Sequence, residues 1–271
     1  MRVKSITLCA DDYSFTPEIT SAIIELIDKN RLSAVSCMVN TASWHKDAER
    51  LKPYINKVDV GLHFTLTDVL PCNTELLESW KNSSLSHIKL ILQAYTKKLN
   101  SKFIQSEIKE QIGRFQKALG ILPHFIDGHQ HIHQLPVIRD ALLTVYQEMF
   151  TDRACYIRIP ISEELNIKTL VIRMTGGRKL KNRLLKKNIP FNTSFSGVYN
   201  FANAEHYPTY FRQFLANIKS GGLIMCHPAL QANSSLDSIS QQRCHEYNYL
   251  NSDKFLQDCK VQNIQVHRFQ K

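Results

Sequence analysis

No apolar run in the 271 residues approaches the roughly 18 that a membrane-spanning helix needs. The first ten residues lead straight into Asp11-Asp12, with neither a long apolar core nor a small-residue cleavage site, so no secretory leader is expected and the chain should stay in the cytoplasm. Cysteine pairs of the C-x-x-C type are absent. The seven cysteines, Cys9, Cys37, Cys72, Cys155, Cys226, Cys244 and Cys259, are odd in number and irregular in spacing, which excludes a zinc ribbon and a disulfide framework. Three of them, Cys9, Cys37 and Cys226, lie in apolar stretches and read as small buried hydrophobes suited to a reducing compartment. Glycine and proline, nine each, are too few for a fibrous or low-complexity chain. The one Gly-Gly pair, Gly176-Gly177, lacks the P-loop or G-x-G-x-x-G context that nucleotide binding requires, and Arg173 and Arg178 beside it are only a faint anion signal.

What is present is ordinary globular material, 43% hydrophobic and 21% charged, enough for a large core. Short apolar runs recur: Ile6–Ala10, Leu32–Val39, Val58–Leu66, Phe125–His129, Cys155–Pro160, Phe191–Tyr199, Gly222–His227 and Ile264–Phe269. Helical patterns separate several of them. One opens with Thr16 as N-cap and Pro17 at the first helical position and puts Ile19, Ile23, Leu26 and Ile27 on one face. Another follows Phe103, with Ile104, Ile108, Ile112, Phe115 and Leu119 on one side and Gly120 and Pro123 ending it. Strand and helix in alternation, with few hairpin signals, predict a parallel sheet covered by helices. At this length a single eight-unit or slightly irregular (β/α) barrel over residues 1–271 is the expected fold. Asp68 to Phe103 fits no unit and reads as an insertion with one or two helices, a candidate lid. Leu230 to Ser240, rich in serine, is a second candidate mobile loop.

The charge sum is 34 Lys and Arg against 24 Asp and Glu, a net +10. Its densest stretch, Arg178–Lys187, carries Leu180, Leu184 and Leu185 at helical spacing, so it reads as an amphipathic helix with a solvated basic face. Neither a nucleic acid nor a membrane is therefore expected as a partner.

Polar groups interrupt the apolar runs at corresponding ends, where a (β/α) barrel assembles its active site. Asp11 and Asp12 end the first run, His63 lies in the third, Asp127 and His129 end the fourth, Arg158 lies in the fifth and His227 ends the seventh. Adjacent carboxylates diverge in direction, so one can bind a metal while the other takes a proton. Either alone could equally cap a turn. His63 by itself would read as a satisfied core histidine. Asp127-Gly128-His129-Gln130-His131-Ile132-His133 is richer: its three histidines face one way if the strand continues, or divide if a helix begins. One or two could bind a metal while the others hold substrate or orient a ligand. A carboxylate and two imidazoles with open positions make a hydrolytic metal site. His227, before Pro228, could donate a proton to a leaving group or simply bond a carbonyl, and Arg158 could orient a carboxylate, bind substrate or form a salt bridge.

Together these segments, Ala10-Asp11-Asp12-Tyr13, Gly61 to Thr67, Ile126 to His133, Arg158 before a proline, and Met225-Cys226-His227-Pro228, resemble the YdjC-like carbohydrate deacetylases, a family that includes chitooligosaccharide deacetylases and hopanoid-biosynthesis relatives. The resemblance spans nearly the whole chain. It implies an irregular (β/α) barrel of the polysaccharide-deacetylase type and a metal-dependent hydrolase that removes N-acetyl groups from an amino sugar or a short N-acetylglucosamine oligosaccharide. It further implies that Asp12, His63 and His129 hold one divalent ion, Mg2+ or Zn2+, that Asp11 is the general base and, by analogy with the wider superfamily, that His227 is the general acid. Asp127, His131, His133 and Arg158 then bind substrate or support the ligands. Zinc is favoured by the softness of two imidazoles, magnesium by the resemblance, and pairing in the family makes a homodimer an expected state. Two departures stand out: Ser14 occupies a position usually held by Gly, where a turn prefers positive φ, and Gly128 one usually held by Ser. The rival readings are hydrolysis of another amide or a phosphoester, and a silent carbohydrate-binding relative.

Overall fold

The computed structural model describes residues 3–151, 155–162, 172–232 and 237–270, with nothing described for the side chain of Arg173. Among the described residues, eight strands form one parallel sheet: β1 (Lys4–Tyr13), β2 (Ala34–Cys37), β3 (Asp59–Phe64), β4 (Phe125–Gly128), β5 (Tyr156–Ile157), β6 (Phe195–Ser196), β7 (Gly222–Cys226) and β8 (Ile264–Val266). Their order is β5-β4-β3-β2-β1-β7-β6, with β8 on the first residues of β1. A parallel bridge between Ser162 and Phe195 joins the two ends of that order. Beside it the Asn192 amide accepts from the Ile159 N–H and donates to the Ile159 and Ser194 carbonyls, replacing ladder bonds that the short β5 and β6 cannot make. The result is a curled, irregular (β/α) barrel.

Each apolar run contains a strand, though several strands are shorter than their runs. Phe191–Tyr199 yields only Phe195–Ser196, because Gly197 (φ 112°) turns the chain immediately after it. A Cβ on Gly197 would meet the Met225 carbonyl oxygen at 2.4 Å. The helix α1 (Pro17–Asp28) is capped by Thr16, whose hydroxyl accepts from the Ile19 N–H, and buries Ile19, Ile23, Leu26 and Ile27. Long α5 (Ser101–Leu119) starts at Asn100 and ends where Gly120 adopts φ 76°. Between β3 and α5 the segment around 68–103 carries α3 (Thr74–Ser79) and α4 (His87–Tyr95). The basic stretch Arg178–Lys187 is helical, with Leu180 and Leu184 buried; Leu185, expected on the same face, is instead 54% exposed. No disulfide joins any of the seven cysteines. Part of the Leu230–Ser240 loop, residues 233–236, lies outside the described residues.

Strand alternation divides the core in two. Leu8, Ala10, Leu62 and Ile126 pack outward under the helices, whereas Cys9, Ala34, Phe125, Tyr156, Phe195 and Leu223 fill the barrel interior. Phe125 stacks on Tyr156 (4.9 Å) and Tyr156 on Phe269 (4.0 Å), which closes the amino-terminal end. Gly61 is required there, since a Cβ would penetrate the Phe125 ring at 2.4 Å. The next inward positions towards the carboxyl ends of the strands are Asp11, Ser36, His63, Asp127 and Arg158. This layer is polar although it is buried.

Candidate active site

Asp11 and Asp12 fall within β1, which continues to Tyr13 instead of ending before them. The pairing of β1 with β2 is irregular between Ala10 and Tyr13, and Asp12 has φ 66°. That left-handed residue sends the two carboxylates apart: Asp11 faces Arg158 and His227, and Asp12 faces His63 and His129. Ser14, two residues on, also adopts a positive φ (74°). Its hydroxyl holds the turn by donating to Asp47 Oδ2 (2.9 Å), in contact with the Thr41 hydroxyl (2.7 Å).

The Asp12, His63 and His129 side chains offer donor atoms that all lie within 4.8 Å of one another. Asp12 Oδ1 is 3.1 Å from His63 Nε2 and 3.0 Å from His129 Nδ1. Two donors each about 2.1 Å from a common ion stand roughly 3.0 Å apart at a right angle, so this set fits a divalent cation with little adjustment. Each of the three also has a partner on its far side. His63 Nδ1 donates to Asp127 Oδ1 (2.6 Å), His129 Nε2 donates to Asp68 Oδ2 (2.9 Å), and Asp12 Oδ2 accepts from Arg243 Nη2 (2.7 Å). A carboxylate behind each imidazole fixes its tautomer and raises its basicity towards a metal.

The charges reflect this crowding. Burial pushes the His63 pKa down, but Asp127 and Asp12 outweigh it and raise it to about 10. Burial likewise opposes and Asp12 and Asp68 prevail at His129, which is also raised. For Asp12, burial acts upward, yet Arg243 and His129 hold the carboxyl well below its usual range. The carboxylates thus demand positive charge at the point where the three donors converge.

A second cluster, Cys9, Asp11 and Asp127, is the other grouping of candidate metal donors among the described residues. Arg158 already fills it. Its Nη1 and Nη2 donate to the two oxygens of Asp11 at 2.8 Å each, and Nη2 lies 2.5 Å from Asp127 Oδ2. With 0% exposure, Arg158 is placed to orient the two carboxylates. Just beyond β5 rather than within it, this one guanidinium links Asp11 to the acceptor that supports His63. Ser36 adds a second donor to Asp127 Oδ1 (2.6 Å).

The three histidines of 129–133 divide, as they would if a helix begins, but in an irregular 3-10 turn. β4 ends at Gly128, and Gln130 (φ 53°) and His131 (φ 60°) turn the chain within a short 3-10 segment, so the rings diverge. His129 turns towards Asp12 and His63. His131 lines the pocket with its ring edge-on to Phe195, and burial holds its pKa well down. His133 lies underneath, donating from Nε2 to the Arg158 carbonyl (2.8 Å), and burial lowers its pKa to about 4. Gly128 leaves it little room: a Cβ there would be 3.0 Å from His133 N and Nδ1.

His227 follows β7 directly. Its Nε2 is 3.9 Å from Asp11 Oδ2 and its Nδ1 4.0 Å from Glu246 Oε1. Glu246 is fully buried; it accepts from the His227 backbone N–H (2.6 Å) and from the Tyr199 hydroxyl (2.9 Å). The pocket above, about 1020 Å3, combines the two aspartates and the histidines with apolar walls from Phe15, Val198, Tyr199, Phe201 and Met225. Four contributors, Asp68, Asp237, Arg243 and Glu246, were not anticipated from sequence. Arg243 pairs through Nε with Asp237 while holding Asp12, so the helix after β7 braces the first strand.

A model of the YdjC-like protein family matches residues 5–261. A carbohydrate deacetylase of Clostridium beijerinckii is 26% identical over 270 residues, covering 96% of each chain. A zebrafish carbohydrate deacetylase is 28% identical over 165 residues, which is 59% of this chain and 51% of its own length. The chain thus spans about half the length of the vertebrate relatives it matches. A solved structure from Enterococcus faecalis, assigned provisionally to cellobiose-phosphate cleavage, superposes with a TM-score of 0.74 over 98% of each chain at 17% identity, which establishes a shared fold.

Proposed function

The chain belongs to the YdjC-like protein family, and on that premise we propose that it is a metal-dependent hydrolase that removes the acetyl group from an N-acetylated amino sugar or a short N-acetylglucosamine oligosaccharide. The observation that carries this reading is the Asp12, His63 and His129 set with an ionic partner behind every member, buried Asp127 and Arg243 and exposed Asp68. Such complete outer support is needed to hold a catalytic cation and has no use in a simple salt bridge. The name of the C. beijerinckii relative, matched end to end, supports the reaction and the substrate class.

A divalent cation bound by these three residues would supply Lewis acidity and lower the pKa of water. The remaining work falls to the chain. Asp11 takes the proton of the attacking water at Oδ2, and Arg158, bonded to both Asp11 oxygens, keeps that carboxylate fixed in direction. His227 Nε2, 3.9 Å from the same oxygen, gives a proton to the departing amine. Glu246 fixes the His227 backbone N–H and lies 4.0 Å from Nδ1, on the side of the ring away from Nε2. Phe15, beside His129, and Phe201, beside His227, offer apolar faces to the sugar, and the volume admits more than one ring. Zinc and magnesium both remain in the proposal, the first on ligand softness.

The test is acetate release from N-acetylated mono- and oligosaccharides by chelator-stripped protein reloaded with magnesium, zinc, manganese or cobalt, with Asp11→Asn as the blank. Metal-dependent acetate release absent from the blank is expected. Phosphate release from phosphosugars, or no turnover with metal bound, would overturn the deacetylase reading.

A further inference from the structure

The basic excess is concentrated in two segments. Residues 80–102 contain five lysines and residues 172–188 seven Lys or Arg, with no Asp or Glu in either, whereas the rest of the chain has 22 Lys and Arg against 24 Asp and Glu. The whole net positive charge therefore resides in these two segments. They adjoin in space: the Tyr95 hydroxyl at the end of α4 donates to the Met174 carbonyl (3.4 Å), and Tyr95, Met174, Arg178 and Lys179 share a shallow cleft of about 320 Å3.

The same segments bear the most exposed run of large apolar side chains. Ile88 (80% exposed), Leu92 (62%) and Tyr95 (47%) stand at successive turns of α4, and Met174 (73%) extends the stripe across to the basic helix. Lys89, Lys97, Lys98, Arg178 and Lys179 are exposed around it. Asp140, which meets the basic helix through Arg183 (3.2 Å), is also paired with Arg139 (3.4 Å). Read from sequence alone, Arg178–Lys187 was an ordinary solvated helix face. The stripe beside it changes that reading, because solvated faces have no reason to display isoleucine, leucine and methionine together.

We propose that α4 and the 172–188 segment form a docking surface for an anionic lipid bilayer, with Ile88, Leu92, Tyr95 and Met174 entering the interface and the surrounding lysines and arginines meeting lipid phosphates. Apolar side chains rimmed by basic ones are the signature of interfacial binding, in which buried apolar area and attraction to anionic headgroups act together. A second copy of the chain fits less well, since a two-fold contact through this stripe would bring two uncompensated basic rims together. A nucleic acid would use the basic rim but leave the stripe in water. His87, which begins α4, and Ile172, which begins the second segment, line the catalytic pocket, so the surface borders the pocket mouth.

The experiment is co-sedimentation of the full chain with phosphatidylcholine vesicles, with and without roughly one third phosphatidylglycerol, at low and high salt. The wild type should bind the anionic vesicles, more weakly as salt rises. Ile88→Ser with Leu92→Ser, and separately Arg178→Glu with Lys179→Glu, should each weaken binding more than tenfold. Leu256→Ser with Val261→Ser, exposed elsewhere, should leave it unchanged, and thermal melts should match the wild type for all three. Equal affinity for both vesicle types, or binding that survives the apolar pair, would overturn the proposal. So would a solution dimer abolished by the apolar pair, or tighter binding to DNA than to vesicles.

Discussion

Asp127→Asn is the most informative single change, because Asp127 touches no proposed ligand site directly yet holds His63, Ser36 and Arg158 together. The substitution keeps the shape and removes the charge. With His63 raised to about 10, a cation binding at pH 7 must displace a proton held about a thousandfold in favour of the imidazolium. Wild-type metal affinity should therefore climb about tenfold per pH unit on this account alone, or about a hundredfold from pH 7 to pH 9. Without the Asp127 charge, His63 keeps Asp12 but loses the strongest attraction that raised it. If its pKa falls to about 8, the same two units of pH gain only about tenfold. Loss of the acceptor for Nδ1–H also weakens the intrinsic site by about 10- to 100-fold. The two effects oppose each other near pH 7 and separate above it, so the ratio of wild-type to variant affinity should grow by about tenfold between pH 7 and pH 9. Competition against a chromogenic chelator measures that ratio, and metal hydrolysis cancels because both proteins are compared at each pH. The raised His129 contributes to both and cancels in the same way. A ratio independent of pH would refute the reasoning.

Asp11→Asn should bind metal within a few-fold of wild type while turnover falls by about 100- to 10,000-fold, as loss of a general base does; unchanged acetate release would remove Asp11 from that role. Glu246→Gln leaves one oxygen to serve both the His227 N–H and the Tyr199 hydroxyl, so kcat should fall about tenfold or more with metal affinity and KM spared, a split read from saturation curves. In metal-stripped protein, His63 is raised above its unfolded value, so the stability it contributes is full below about pH 6.5 and is lost as pH rises through about 10. The melting temperature of stripped protein should fall across that window, and that of loaded protein should not. Ser14→Ala strips a donor from buried Asp47 and keeps the positive φ, costing about 1–3 kcal/mol. Ser14→Gly should recover about 1 kcal/mol of that by relieving the backbone, and urea melts in which the two variants are equally destabilised would contradict the turn geometry.

How far the sequence could be read depended on which end of the barrel was in question. Strands β1 to β7 are buried on both faces along most of their length, so they announce themselves as short apolar runs, and the inward positions at their carboxyl ends stand out once Asp11, His63, Asp127 and Arg158 interrupt those runs. The directions of those side chains were less legible. Asp12 at φ 66° and the Gln130-His131 pair at φ 53° and 60° leave both the strand and the helix periodicity, and it is these residues that bring Asp12 and His129 together. Asp68 and Arg243 escaped notice for a different reason. They reach the site from a loop and from the helix Ser240–Leu250, and Arg243 is 231 positions from the Asp12 it holds. A signal for Arg243 and Glu246 did exist. With Tyr247 and Leu250 they occupy one helical face at i, i+3, i+4 and i+7, the positions a helix reserves for its buried side, and two of those four are charged. Charges so placed are too costly to bury unless other charges await them. The partners could have been sought among residues already suspected: Asp12 for the arginine and the segment of His227 for the glutamate.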